Sequence, residues 1–263
     1  QSAWEAYLRQ NASQYSFEQA MAHKILLQHA IAQSNAGGLN DHFNVLNIYK
    51  IGLERKLLEA PETALSVVSY LNISFAAALA EEFDWAANFE KNYKDRLPEK
   101  LRQSTLNLCQ ACLLFYYSRK KGTGAADFDR ALDLLQDVSH EHELFELCVR
   151  TLQMRIFYEH PRVQPGRFLL NFAKNFERHL QTNRHFSVAF KTRYVLFSRH
   201  YRQLVRLRST PKPGGEAPQA FLQKLKQEKQ AAFLWWLLGK AEELQQLPTR
   251  LKNLRLESGR SRQ

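Results

Sequence analysis

The chain has 263 residues, 37 Lys and Arg against 26 Asp and Glu, a net charge of +11, and 44% hydrophobic residues including 17 Phe and 10 Tyr. That is enough length and apolar content for one large domain or a short stack of helical units, and too apolar for a disordered chain. No run of eighteen apolar residues occurs, so no membrane-spanning helix is expected, and three Cys make no disulfide framework, which points to a reducing cytoplasm.

Gly (10) and Pro (8) are scarce, while Leu, Ala, Gln, Glu and Lys abound, which favours helices nearly end to end. The opening "QSAWEAYLRQ" has no initiator Met, basic n-region or apolar h-region, and reads as the trimmed start of the C-terminal part of a longer protein rather than as a signal peptide. Ser16 with Gln19 is a capping-box pair opening a helix through about Gln33, and Gly37-Gly38 end that region. Further helices are expected over 41–59, 62–80, 82–95, 99–119, 125–138, 141–159, 166–182, 184–208 and 218–246. Pro61, Pro98, Gly122 to Gly124, Pro161 and Pro165-Gly166 punctuate them. A helical domain over 1–208 then gives way to a linker, "STPKPGGEAP" at 209–218, a capping helix region over 219–256, and a disordered tail over 257–263.

Two segments repeat each other. "EEFDWAANFEKNYKDRLP" (81–98) and "ADFDRALDLLQDV" (126–138) both carry an acid, Phe-Asp, any residue, then Ala. Phe83 lies 45 residues before Phe128, and Ala86 lies 45 before Ala131. Such a period suggests stacked helical units, and tetratricopeptide units place bulky residues on a first helix, small ones where two helices cross, and a Pro at the end. Tyr70, Ile73, Ser74 and Ala77 fit the first helix, Ala86 the second and Pro98 the close, with 16 residues from Tyr70 to Ala86 and 12 more to Pro98. Small residues are required at Ser74 and Ala86 because two backbones approach there, and Phe83 is expected to wedge into the turn between the helices. Tyr70, Ser74 and Ala77 stand where such a unit usually has Trp, Gly and Tyr. A second unit, 99–140, has Leu108, Cys112 and Phe115 on its first helix, with Ala131 arriving seven residues late because "KKGTGAA" adds a turn. A third unit, 141–183, is marked by its helix pair.

Residues 62–208 resemble an uncharacterised family of tetratricopeptide-repeat-like helical proteins of Bacteroidetes bacteria. The segments that carry the likeness are "EFDWAANFEKNYKDRLP", "FDRALDLLQDV", "RIFYEH" and "NFERHL" followed by "VLFSRHYRQLVRL". The resemblance covers a little over half the chain. It implies an all-α fold, an α-solenoid of antiparallel helix hairpins, and no activity. It also implies a concave groove along the first helix of each pair, which here would show Val68, Leu71 and Phe75, then Leu113, Tyr116 and Tyr117, then Phe145. That lining suits an apolar peptide or helix of another protein; the chain's own N-terminal helices are the competing occupant.

The charge is concentrated. Residues 162–212 hold twelve Lys and Arg and a single acid, Glu177, so the whole excess of +11 lies there. On the helix expected over 184–208, Phe190, Tyr194, Phe197, Tyr201 and Leu204 repeat at helical spacing and point inward. Lys191, Arg199, Arg202 and Arg206 share another face, with Arg193 and Arg208 further round and Arg178 and Arg184 before them. These eight residues form a candidate anion-binding strip for nucleic acid, an acidic partner or anionic lipid. The plainer alternative is a solvated face whose long stems cover apolar surface.

Other motifs favour packing over chemistry. Cys109 and Cys112 form one CxxC within a helix, without a second pair or adjacent His pair, and read as small core residues rather than a metal or redox site. "SHEHE" (139–143) places His140, Glu141, His142 and Glu143 at a helix start, where acids suit the dipole. In "AAFLWWLLGK", Trp236 joins a stripe of Leu222, Leu225, Phe233 and Leu237 on a helix that caps the last repeat, while Trp235 faces elsewhere, with a docking surface for a partner protein as the alternative. No phosphate-cradling loop, nucleophile elbow or metalloprotease helix is present, so no catalytic residue, metal or cofactor is expected. The expected role is a non-enzymatic binding scaffold for protein or peptide, with nucleic-acid backbone binding through 162–212 as the alternative. Oligomeric state is left open.

Overall fold

A computed structural model describes residues 23, 25–28, 30–31, 41–58, 65–139, 143–164, 166–209 and 216–246. All regular structure among them is helical, and no helix among them is long and apolar enough to cross a membrane. The helices are α1 (Asp41–Glu54), α2 (Val67–Leu79), α3 (Phe83–Tyr93), α4 (Glu99–Lys121), α5 (Ala125–Gln136), α6 (Glu143–Glu159), α7 (Arg167–Thr182), α8 (Val188–Arg208) and α9 (Glu216–Gln227); α10 covers 234–246. The Ser16–Gln19 helix start, Gly37-Gly38, Pro61, Pro165, most of the expected linker, the tail, and His140, Glu141 and His142 lie outside the described residues.

Helix ends follow local chemistry. Ser66 caps α2, its hydroxyl accepting the Ser69 N–H at 3.1 Å. That hydroxyl starts the helix at Val67, five residues later than the expected 62. Glu81, at φ 59°, turns the chain between α2 and α3. A single 3₁₀ turn, Lys94–Arg96, ends α3, and Pro98 opens α4. Gly122 closes α4 in the left-handed region at φ 66°, its N–H donating to the Ser118 carbonyl at 2.8 Å. Asn183 takes the His185 and Phe186 N–H groups at 2.8 and 3.3 Å, so α8 begins only at Val188, capped by Ser187.

The described chain divides into two compact units, one holding the described residues up to Leu152 and the other those from Gln153 on; the division falls within α6. In the first unit α2 packs against α1, α3 and α4, and α4 packs against α5. Tyr70, Leu71, Ile73 and Ala77 of α2, Ala86 and Phe89 of α3, Leu108, Cys112 and Phe115 of α4, and Phe128, Ala131 and Leu135 of α5 are buried residues of its core. Phe89 is the hub of a ring cluster, 4.8 Å from Tyr70, 5.5 Å from Trp85 and 5.0 Å from Tyr93.

In the second unit α7 and α8 pack as a pair, and the Ser198 hydroxyl donates to the Ala173 carbonyl at 2.9 Å where they cross. Buried Phe197, Tyr201 and Trp236 form its aromatic centre. The Tyr201 hydroxyl donates to the Met154 carbonyl at 2.9 Å, and the Trp236 indole N–H donates to Glu159 Oε1 at 2.7 Å. Buried Lys240 neutralises the same carboxylate at 3.1 Å.

The expected single helix over 218–246 is two. The Glu228 carboxylate accepts the N–H groups of Lys229 and Gln230 at 2.9 and 2.8 Å, and Phe233 adopts φ 53°, so the chain turns between α9 and α10. Leu222, Leu225, Trp236 and Leu237 are all buried, from two helices rather than one stripe.

Candidate functional site

One face from each of three helices builds a cleft of about 360 Å³ in the first unit. Phe83, Ala87 and Glu90 come from α3; Gln110, Leu113, Leu114 and Tyr117 from α4; Arg130 and Leu134 from α5. Spacings of three and four residues put each set on one side of its helix. α4 packs against both neighbours, and the small Ala87 leaves space where a larger side chain would stand.

The cleft is apolar with polar groups at its edge. The Phe83 and Tyr117 rings meet edge to face at 5.3 Å. Lys120 lies over Phe83 at 5.7 Å and is held by Glu81 at 2.8 Å. Gln110 donates to Glu90 Oε1 at 2.9 Å, which fixes both side chains. The Arg130 side chain is exposed and has no ion-pair partner among the described residues. Tyr117 is 39% exposed. Such a surface can take a bulky apolar side chain and offer a guanidinium to a neighbouring carboxylate.

The expected groove residues separate. Leu113 and Tyr117 line the cleft. Leu71, Tyr116 and Phe145 are buried and belong to the core, since neighbouring helices cover the face on which the repeat pattern places them. Phe75 is half-buried and Val68 is exposed, and neither lines the cleft. Ala87, Glu90, Gln110, Leu114, Arg130 and Leu134 join the cleft without a repeat signal of their own; only the shared spacing of Glu90 with Phe83 on α3 marks the face.

Of the expected packing residues, Tyr70, Ser74, Ala86, Cys112, Phe128 and Ala131 are buried, while Pro98 stands exposed at the start of α4. Phe83, expected in the α2–α3 turn, is half-buried and its ring meets Tyr117 of α4. Phe128 is buried against Phe115 at 5.9 Å, so the two Phe rings have different surroundings, although Ala86 and Ala131 are both buried. Burial, opposed by a side-chain hydrogen bond with Ser74, pushes the Cys109 thiol well above its ordinary range, as suits a packing residue.

The basic strip is sorted by its partners. Glu177, itself largely buried, holds Arg199 Nε at 3.3 Å and Arg202 Nη2 at 2.8 Å. Arg208 turns away, its guanidinium 4.8 Å from the centre of the Tyr158 ring and donating to the Tyr158 carbonyl. The side chains of Arg178, Arg184, Lys191, Arg193 and Arg206 have no ion-pair partner among the described residues. Beside the strip, burial holds the His200 imidazole below its ordinary range, against the opposing pull of Glu228 at 3.2 Å. Burial acts to raise the Glu228 carboxyl, but the Gln230 and Lys229 N–H groups and His200 outweigh it and hold the carboxyl low.

Comparison of the chain with known protein families, with curated proteins and with solved structures finds no match.

Proposed function

We propose that the chain is a tetratricopeptide-like α-solenoid that acts as a binding scaffold, and that the α3–α4–α5 cleft receives a segment of another protein carrying a bulky apolar side chain next to an acidic one. The observation that carries this reading is the cleft itself. Phe83, Leu113, Leu114, Tyr117 and Leu134 supply an apolar lining, and Arg130 supplies an exposed guanidinium without an ion-pair partner among the described residues at its edge. A volume of about 360 Å³ has room for one or two side chains. The pairing of α2 with α3 and α4 with α5, with α2 against α4, supports the stacked-hairpin architecture, as do the buried small residues Ser74, Ala86 and Ala131. The lining has one carboxylate and no His, Cys, Ser or Thr, which favours recognition over nucleophilic chemistry.

Selection from a random peptide display library tests this. Enriched sequences are expected to pair Leu, Phe, Ile or Trp with Asp or Glu, and Leu134→Arg should abolish their binding while the fold persists. A selection without such a motif, or binding indifferent to Leu134→Arg, would overturn it.

A further inference from the structure

The basic face of the second unit is a separate surface from the cleft and has its own chemistry. On α7, Lys174 and Arg178 stand one turn apart on the side opposite the buried Leu169, Ala173, Phe176 and Leu180. On α8, Lys191, Arg199, Arg202 and Arg206 share the side opposite the buried Phe197, Tyr201 and Leu204. The one acid of the region, Glu177, lies between the helices and joins Arg199 to Arg202. It takes Arg199 through Nε alone, at 3.3 Å, and that side chain remains 57% exposed, so its terminal nitrogens face solvent in a fixed orientation. The carboxylate thus orders two guanidinium groups and leaves the cluster positive.

We infer that this face binds the sugar–phosphate backbone of a nucleic acid without reading its sequence. Lys191 to Arg206 extends over about 22 Å of helix, at about 1.5 Å per residue, a line of charge rather than a cup for one anion. Basic groups three and four residues apart are spaced about 5–6 Å, close enough to meet successive phosphates of one strand. Most of them are Arg, whose planar fork grips phosphate in two-point contact. Val188, in the first turn, is the one large apolar side chain exposed on α8, and none is exposed between Lys191 and Arg206, which falls short of the apolar face of a helix that embeds in a membrane surface. The rings Phe190, Tyr194, Phe197 and Tyr201 pack among themselves and against Phe233, which leaves backbone contact rather than base stacking.

The test is fluorescence anisotropy of two labelled DNA duplexes of unrelated sequence, titrated at several salt concentrations. The intact chain should bind both alike, with affinity falling steeply as salt rises. A variant with Lys174→Gln, Arg178→Gln and Arg206→Gln should bind at least about tenfold more weakly at about 50 mM salt and lose about three units of salt slope. A variant with Lys91→Gln, Lys94→Gln and Lys121→Gln removes equal charge from the first unit and should match the parent. Absent binding at about 50 mM salt, sequence-selective binding, equal loss in both variants, or binding to anionic phosphatidylserine vesicles but not to duplex would each overturn the inference.

Discussion

Tyr70 buries a hydroxyl with no hydrogen-bond partner among the described residues. Burial first, and then the neighbouring Cys109 and Glu90, hold its phenol far above the ordinary range. An unsatisfied buried polar group costs about 1–3 kcal/mol, and the ring packed on Phe89 supplies the compensating burial. Tyr70→Phe keeps the ring and removes the hydroxyl. Thermal unfolding should show a gain of about 1 kcal/mol; a loss would mean that the hydroxyl has a partner in solution. Single residues of this kind were only half legible. Ser74, Ala86 and Ala131 announce themselves by being small within a bulky period, and all three are buried. Glu177 could be noticed as the lone acid among twelve bases, but its partners lie 22 and 25 residues away, which no local pattern encodes.

Among the elements, ends marked by Pro or Gly were easiest to place, because those residues act through the backbone alone. Pro98 starts α4 and Gly122 ends it. The break between α9 and α10 escaped notice because it has neither residue and rests on the Glu228 carboxylate taking two backbone N–H groups. The same backbone logic predicts opposite outcomes at two glycines. Gly122→Ala places a Cβ at φ 66°, and urea unfolding should show a loss of about 1 kcal/mol. Gly239 is inside α10 with open space around the Cβ position, so Gly239→Ala should gain up to about 1 kcal/mol. Matching signs would show that these two backbone assignments are wrong.

For the molecule as a whole, two surface chemistries reside in different units: an apolar cleft in the first and the full excess of positive charge in the second. The all-helical fold and the location of the charge were legible from periodicity and counting. The cleft was legible only in Leu113 and Tyr117, because it arises where three helices meet, and periodicity gives the face of one helix but not what covers it. Leu71, Tyr116 and Phe145 show the consequence, being placed in a groove by pattern and in the core by packing. The central claim is that the cleft receives a protein segment. Amide hydrogen exchange of the intact chain with and without a display-selected peptide tests it most directly. Slowed exchange should concentrate in α3, α5 and the part of α4 from Gln110 to Tyr117, and Leu134→Arg should abolish it. Protection confined to α7 and α8, or to no segment, would contradict the claim.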